Sequence, residues 1–245
     1  MSVSVDVDVA SAVIAFRTAA GEERSLPAGR VPVSALLAAN PWRTFRWYFG
    51  QRHYSGTYWS STVGDHVIYE SRLELSCLLR ADFDPAVRAM VAQPFLLTAP
   101  IDGQPRRHIP DYLWDTEDGT VVVDVVRIER VSDPKVATLC AWTSRVVASL
   151  GWGYLVVSEA PAVELANIRF LAGYRRDWLI NADLREAMRA EIPQLTGVSI
   201  AEAERHFPAY SSPLRRATVM NLLWRHELRA NLAEPLRPST VLEVP

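Results

Sequence analysis

The chain has 245 residues, of which 49% are hydrophobic and 22% are charged, as in an ordinary soluble globular protein. Its net charge of −2 excludes a basic field over the whole surface, so a high-affinity DNA binder that acts alone is not expected. The N-terminus lacks a signal-peptide pattern and no segment approaches the roughly 20 apolar residues that span a bilayer. We therefore expect a cytoplasmic protein without a membrane partner.

The first 40 residues are interpreted as an N-terminal extension, with a β-strand over Val13–Arg17 and a helix around Val33–Ala39. Residues 40–66 then interleave Trp, Tyr, Phe, His and Arg. Such a segment is either a stacking surface for nucleic acid or a cover over the core with solvated arginines. The sequence leaves both interpretations open.

A helix is predicted over His66–Arg80 because apolar and acidic residues recur at helical spacing. The residues on this stripe are Glu70, Leu73, Glu74, Cys77 and Leu78. Its two glutamates either lie exposed at the edge of the stripe or belong to a site. Cys77 and Cys140 lack the spacing of metal ligands, so we expect reduced thiols and no zinc site.

Strands are predicted over 108–114 and 120–127, joined by a hairpin turn at 116–119, and a buried strand follows at 153–159. A helix over 133–150 lies between them, with Asp133 as its N-cap and Pro134 in its first turn. This order indicates an α/β fold in which helices pack on a mixed sheet, assigned to a domain of residues 41–160.

Residues 161–245 form a separate C-terminal domain of three or more helices followed by two short extended pieces, the plan of a small winged-helix module. Arginine pairs at Arg175/Arg176 and Arg215/Arg216 are candidates for phosphate contacts. A domain that docks another protein fits the same pattern equally well.

Asp124 lies within a valine-rich strand, Thr120–Arg127, that is apolar on both faces and therefore predicted to be central and buried. An ionised carboxylate costs several kcal/mol there unless it has a partner or binds a cation. Asp111, on the preceding strand, is the expected neighbour. If the helix with Glu70 and Glu74 covers the same sheet, the carboxylates converge on one pocket.

Convergent carboxylates repel one another, so such a pocket suits a hard divalent cation, Mg²⁺ or Mn²⁺. A bound ion of this kind activates water and neutralises charge on a phosphodiester. The residues alone leave two alternatives open: Asp111 caps a strand turn, and Asp124 forms an ion pair with an arginine.

The order of these features resembles the PD-(D/E)XK nuclease superfamily, and most of all the TnsA-like endonuclease subunits of heteromeric transposases, in their actinobacterial branch. The resemblance covers about residues 40–245. It is carried by FRWYFGQRHYSGTYWSSTVGDHVIYESRLE, ADFDPAV, QPF, HIPD, VVVDV, LGWGYLVVS, LLWRHEL and PLRPSTVL. It implies a restriction-endonuclease-like domain followed by the winged-helix-like domain.

The resemblance also implies roles for individual residues. Asp111 is expected to be the central metal ligand, Asp124 the ligand on the next strand, and Glu74 the helix glutamate that completes the metal ligands, with Glu70 as the competing candidate for Glu74. Val125 is expected to offer its carbonyl oxygen to a second ion. The lysine of the motif should occupy position 126, where this chain has Val126.

Two residues are candidates to replace that lysine. The only lysine of the chain, Lys135, stands at the start of the next helix and is the tentative source of the positive charge. Arg127 is excluded as a simple substitute because strand alternation points it to the opposite face.

The function implied is a Mg²⁺-dependent endodeoxyribonuclease that nicks the 5′ strand at transposon ends. Its expected partners are the DNA ends, a DDE-class transposase subunit, and an AAA+ regulator that docks on the C-terminal domain. The alternative is a catalytically degenerate nuclease-fold adaptor that assembles transposase partners. A stand-alone restriction or repair nuclease of the same fold is a third possibility.

Overall fold

The computed structural model describes residues 5–43 and 54–243. Residues 44–53 of the aromatic segment predicted at 40–66 therefore lie outside the described residues. The chain divides into two compact units. The first contains the described residues up to Leu78 together with Ala86–Glu159, and the second contains Leu79–Pro85 and the described residues from Ala160 onward. Within the described ranges, no helix has the length and apolar character needed to cross a membrane.

The first unit contains two four-stranded sheets and one hairpin. Its strands are β1 (Val13–Arg17), β2 (Glu23–Pro27), β3 (Gly56–Ser60), β4 (Asp65–Tyr69), β5 (Val87–Ala92), β6 (Leu96–Ile101), β7 (Gln104–His108), β8 (Tyr112–Thr116), β9 (Gly119–Val125) and β10 (Gly153–Val157). One sheet has the order β2-β1-β6-β7, and the other has the order β10-β9-β8-β5. The second sheet is mixed, because β10 runs parallel to β9 and its other pairs are antiparallel.

The helices of the first unit are α1 (Val33–Leu37), α2 (Arg72–Phe83, which continues into the second unit), α3 (Ile128–Val131) and α4 (Pro134–Ser149). The start of α4 is as predicted, since the Asp133 side chain caps it by accepting a hydrogen bond from the Lys135 backbone N–H. The helix ends before Gly151, whose φ of 75° favours glycine. Both findings, with the sheets, confirm the predicted mixed α/β architecture.

Strand β9 is the central strand on which the site is built. Val122 and Val123 are fully buried on its opposite faces, and Asp124 is only 3% exposed. The core around it contains residues from the N-terminal strands, both sheets and α4, among them Ile14, Leu97, Leu113 and Val146. Because β1 pairs with β6, the first 40 residues contribute a strand and buried side chains to this unit.

The predicted helix over His66–Arg80 is wrong in its first half. Residues Asp65–Tyr69 form β4, which pairs antiparallel with β3, and α2 begins only at Arg72. The β-branched and aromatic residues of this stretch favour the hairpin, which periodicity alone did not reveal. Glu70 therefore precedes the helix, and it does not share a helical stripe with Glu74.

The predicted strand over 108–114 is two strands in different sheets. Strand β7 ends at His108 and pairs with β6, whereas β8 begins at Tyr112 and pairs with β9. Pro110 cannot donate to a ladder of hydrogen bonds, and the chain changes sheet there. As a result, Asp111 lies in the junction just before β8.

The second unit is helical, with the end of α2 joined by α5 (Ala162–Leu171), α6 (Ala182–Ala190), α7 (Ile192–Leu195), α8 (Ile200–Arg205) and α9 (Ser212–Trp224). Two short 3-10 turns lie at Ala172–Tyr174 and Asp177–Leu179. Two isolated bridges, Ser199 with Val241 and Arg229 with Glu243, tie the C-terminal segment to the unit. The predicted series of helices and short extended pieces is thus observed.

Candidate active site

A pocket of about 290 Å³ opens at the end of β9 in the first unit. Both aspartates singled out in the sequence line it, and so do three basic residues and one thiol: His108, Asp111, Asp124, Arg127, Arg130 and Cys140. The strand end, the β7–β8 junction and the helices α3 and α4 thus contribute to one cavity. It holds charged groups of both signs.

Asp124 is held by two side chains that the sequence reasoning did not assign to it. Nε2 of His108 lies 2.9 Å from Oδ1 and 2.8 Å from Oδ2 of the carboxylate, and the Tyr154 hydroxyl donates to Oδ2 at 2.5 Å. The burial of Asp124 is therefore offset by hydrogen bonds. The open alternative of an ion pair with an arginine is wrong, because the described partner is a histidine.

Oδ1 of Asp124 is the oxygen with a free lone pair. Oδ2 accepts from both His108 and Tyr154, whereas Oδ1 has only His108 as a partner among the described residues. The Cys140 thiol is close enough to Tyr154 for each group to influence the pKa of the other. Burial raises the pKa of both Tyr154 and Cys140, so both stay protonated beside the carboxylate.

Asp111 lies beside Asp124, as predicted from the hairpin. Its Oδ2 accepts a hydrogen bond of 2.6 Å from the backbone N–H of Val125, so the side chain reaches across to the end of β9. Burial raises the pKa of Asp111 to about 8, and the negative charges of Asp124, Glu74 and Glu70 act in the same direction against the Val125 hydrogen bond. Three other carboxylates are thus close enough to act on Asp111.

Glu74 is part of the N-terminal cap of α2. Its backbone N–H donates to Oγ of Ser71 at 3.1 Å, and its carboxylate accepts from the Ser71 hydroxyl at 2.8 Å and from the backbone N–H of Glu70 at 2.7 Å. The arrangement resembles a capping box, except that the Glu74 carboxylate accepts from the Glu70 N–H, one residue before Ser71. Burial raises the pKa of Glu74, helped by the charge of Glu70 and opposed by those hydrogen bonds.

Glu70 is held by Gln93, a buried residue that the sequence reasoning did not select. The Gln93 side-chain amide donates to the Glu70 carboxylate, and the Gln93 backbone N–H donates to the carbonyl oxygen of Asp111 at 2.8 Å. Gln93 has a φ of 47°, a conformation uncommon outside glycine. It therefore links the bend before α2 to the junction that carries Asp111.

Lys135 and Val126 occupy different surroundings. Lys135 lies exposed in the first turn of α4, and the residues of α4 that line the pocket are Val136, Leu139 and Cys140. Val126 lines the pocket. The role of Lys135 as the orienting cation stays a prediction.

The exclusion of Arg127 by strand alternation is wrong. Strand β9 ends at Val125, and at Arg127 the chain turns into α3 with φ −57° and ψ 137°. Alternation therefore does not extend to this residue, and Arg127 lines the pocket together with Arg130. The strand predicted from the sequence is two residues too long at this end.

The donor set can be compared with what a metal ion needs. Among the described residues, no group of three or more His, Cys, Asp or Glu side chains is arranged to hold one ion. Mg²⁺, however, is commonly bound through one or two carboxylates and completed by water and substrate phosphate. Asp111 and Asp124 provide oxygen donors in one pocket and match this mode of Mg²⁺ binding.

The missed residues left partial signals in the sequence. Tyr154 and Val156 share a face of β10, and Val156 is the register partner of Asp124. His108 stands three residues before Asp111 in the chain, but its reach to Asp124 depends on the change of sheet at Pro110. The single strand predicted through Pro110 did not allow for a contact between His108 and Asp124.

The arginines selected in the C-terminal domain differ in exposure. Arg175 is largely buried, with an ion pair of 3.9 Å to Asp82, and the guanidinium of Arg176 lies over the Trp178 ring. Arg216 is exposed near the start of α9, whereas Arg215 is half-buried. Arg216 is therefore the most accessible of the four for a phosphate.

The first unit thus offers an acidic pocket with oxygen ligands and adjacent arginines, an arrangement suited to a cation and a phosphate ester. Comparison of the whole chain with models of known protein families and with curated proteins finds no match.

Proposed function

We propose that this chain is a metal-dependent DNA endonuclease subunit of a heteromeric transposase, of the TnsA-like kind within the PD-(D/E)XK superfamily, which nicks the 5′ strand at transposon ends. The observation that carries the proposal is the pairing of Asp111 with Asp124 in one pocket, under the charges of Glu74 and Glu70. Such an arrangement of carboxylates disfavours its own ionisation, and a divalent cation reverses that preference.

Asp111 and Asp124 are the residues that would hold Mg²⁺ or Mn²⁺. The ion would supply a water of lowered pKa and would neutralise charge on the phosphate. His108 and Tyr154 keep the Asp124 carboxylate in one orientation, and the Val125 N–H does the same for Asp111. The protein's contribution is therefore a set of oxygen donors that is oriented before the ion arrives.

Glu74 supports the site through charge and position. Both of its carboxylate oxygens accept hydrogen bonds within the cap of α2, and its negative charge acts on Asp111. In this role it fixes the start of α2 beside the aspartates, and its negative charge strengthens the electrostatic attraction of the site for a cation. Glu70 acts in the same direction and is held by Gln93.

The second unit is proposed as the winged-helix-like docking domain. The order of α6, α8 and α9, followed by the bridges at Arg229 and Val241, matches that plan. Residues Thr218–Trp224 of α9 are all buried, so only the first half of this helix is accessible to a partner. We assign the unit to protein partners, the DDE-class transposase and the AAA+ regulator, more than to DNA.

A second candidate function has its own supporting observation. Asp124 already has hydrogen-bond partners in the protein, and Val126 replaces the motif lysine. Both features suit a nuclease-fold adaptor that assembles transposase partners without cutting DNA.

One assay separates the two candidates. Nicking of transposon-end DNA is measured with Mn²⁺ and the partner transposase, for wild type and for Asp111→Asn. We expect the variant to lose at least about 10³-fold in rate, which corresponds to about 4 kcal/mol in the barrier. Asp115→Asn is the matched control, because Asp115 is a half-buried aspartate of β8 outside the pocket lining.

If wild type and Asp111→Asn are equally inactive while both assemble with the transposase, the endonuclease proposal fails and the adaptor remains. If Asp115→Asn loses as much activity as Asp111→Asn, the effect is not specific to the pocket.

A further inference from the structure

Two arginines on one short segment also line this pocket, and we call them its basic wall. Arg127 directly follows the end of β9 and precedes α3, and Arg130 lies within α3. Both line the same pocket as Asp111 and Asp124. The cavity is therefore lined both by carboxylates, which suit a cation, and by guanidinium groups.

The segment that carries these arginines is fixed to β10 and the residues after it. The Val126 N–H donates to the Val157 carbonyl at 2.8 Å, and the Val126 carbonyl accepts from the Ser158 hydroxyl at 2.7 Å. The Ile128 N–H donates to Glu159 at 2.8 Å. Three hydrogen bonds thus set the position from which the arginines extend.

The two guanidinium groups have no ion-pair partner among the described residues. Within residues 5–43 and 54–243, neither Arg127 nor Arg130 comes within 4.0 Å of a carboxylate oxygen, and both residues are exposed. Arginines of the second unit behave differently: Arg189 forms two bonds of 2.5 Å to Glu227. The charges of Arg127 and Arg130 remain available for a ligand.

Glu159 is one acidic group on which Arg127 acts. Its carboxylate is engaged by the Ile128 N–H, and the charge of Arg127 acts on it as a smaller influence. Glu129 lies between the two arginines in sequence but does not line the pocket. The basic wall is therefore not neutralised by an ion pair within the described residues.

A guanidinium group matches a phosphate better than it matches any other group of DNA. Its planar fork makes two parallel charge-assisted hydrogen bonds to phosphate oxygens, and it stays charged at all relevant pH values. The apolar Val126, which also lines the pocket, contributes no cation. The charge that is missing at position 126 is present one and four residues later.

We propose that Arg127 and Arg130 bind the DNA backbone at the cleaved phosphodiester, and so supply the positive charge that Val126 does not. This inference rests on the proposed function, because it assigns the substrate phosphate to the same pocket. The arginines act as substrate-positioning residues that contact the phosphate, next to a cation held by the aspartates.

The test measures DNA binding without metal, so that it does not depend on catalysis. The probe is a short fluorescein-labelled duplex of mixed sequence, because phosphate contacts are independent of sequence. Binding of the full-length chain is followed by anisotropy in EDTA over a series of salt concentrations. Arg127→Gln and Arg130→Gln are compared with wild type, and nicking is measured in parallel with Mn²⁺ and the partner transposase.

We expect each substitution to weaken binding roughly tenfold and to lower the slope of log affinity against log salt by about one. Arg130→Lys should restore the salt slope, because lysine restores the positive charge. It should restore only part of the affinity, because lysine lacks the planar guanidinium that makes two parallel hydrogen bonds to a phosphate. A merely structural role would not produce this split.

Arg88→Gln is the matched control for the loss of one positive charge. Arg88 is exposed on β5, near the end of the strand opposite Ala92, and Ala92 pairs with the residue after Asp111. Four residues of strand separate the two ends by about 13 Å. Binding and salt slope should match those of wild type. Circular dichroism melts establish that all variants are folded.

The outcomes distinguish this inference from the proposed function. If Arg127→Gln and Arg130→Gln bind DNA as wild type does while wild type nicks it, the inference is overturned and the endonuclease proposal stands. If both variants lose binding but no protein nicks DNA, the arginine wall is supported and the endonuclease proposal fails. If wild type binds no DNA, the inference is overturned as well.

Discussion

Helices α2 and α8 begin with the same Ser-x-x-Glu pattern, yet their glutamates have opposite electrostatic surroundings. In α8, hydrogen bonds from Ser199 lower the pKa of Glu202, helped by Arg205 and His206. In α2, burial raises the pKa of Glu74 despite equivalent bonds from Ser71 and the Glu70 N–H. The local motif caps both helices. The tertiary surroundings decide whether the glutamate also belongs to an acidic cluster.

This contrast separates structural acids from acids that favour a cation. Around α8 the carboxylates have basic neighbours, and in the same unit Glu227 forms an ion pair with Arg189. Around the start of α2, the charges of Glu70 and Glu74 act on Asp111, another carboxylate. Such retained repulsion is common at functional sites, and it is the observation on which the proposed cation site rests.

The largest effect is expected from Asp111→Asn in the absence of metal. The folded pKa of Asp111, about 8, lies above the value of an unfolded chain, so its ionisation opposes folding as pH rises from about 4 to about 8. The amide removes that cost and can still accept from the Val125 N–H. We expect a gain of roughly 2–4 kcal/mol in the free energy of unfolding at about pH 8, vanishing near pH 4.

Urea unfolding in EDTA at several pH values measures this gain. Asp115→Asn should change stability by less than about 0.5 kcal/mol at either end of the range. An Asp111→Asn protein that is less stable than wild type at high pH would contradict the electrostatic contrast between the two regions.

Metal binding should give the next largest effect, and it should depend on the acidic cluster around Asp111 and not on the acids of α8. Mn²⁺ at about 100 times its Kd should stabilise wild type by about 2.7 kcal/mol and should not stabilise Asp111→Asn. Glu202→Gln should keep the full gain. Because the pKa of Asp111 is about 8 without metal, binding at neutral pH should release close to one proton, and affinity should fall as pH falls below about 8.

Calorimetry in two buffers of different ionisation enthalpy counts the released proton. Binding without proton release at neutral pH, or equal binding by Asp111→Asn, would remove Asp111 from the ion's ligands.

Removing the N-cap of α2 or that of α8 should lower the free energy of unfolding by about the same amount. Ser71→Ala and Ser199→Ala should each lower stability by about 1 kcal/mol, since each serine bonds a backbone N–H at the start of its helix. Only Ser71→Ala should also reduce nicking, because it frees the Glu74 carboxylate beside the aspartates. Hydrogen exchange of the helix amides and the nicking assay provide the two readouts. If both variants nick DNA equally well, the N-cap of α2 does not contribute to the activity of the site.

The smallest expected effect is a difference in pH slope between Glu74→Gln and Glu202→Gln. The folded pKa of Glu74 is raised, so its contribution to stability falls as pH rises from the unfolded value through the folded one. The folded pKa of Glu202 is lowered, so its contribution is present above the unfolded value and is lost as pH falls through the folded one. Each Gln variant should remove its own slope. Slopes of the same sign would contradict the contrast.

The sequence predicted the elements whose signals are local. The start of α4 follows from Asp133 and Pro134, and β1 and the helices of the second unit are found where their composition predicted them. The errors arose where a segment has two plausible local structures. Residues 65–69 form a strand because β3 lies beside them, and the 108–114 segment divides at Pro110 because its two halves pair with different strands.

By itself, the sequence determined that Asp124 is a carboxylate on a strand apolar on both faces and therefore needs a partner, and that Asp111 is its neighbour. Only the tertiary structure decided that the partner is His108 with Tyr154, that Gln93 holds Glu70, and that Arg127 and Arg130 line the pocket. The physical reason is that strand alternation and helix periodicity fix the faces of one element. Which side chains meet across elements depends on sheet pairing and on where each strand ends.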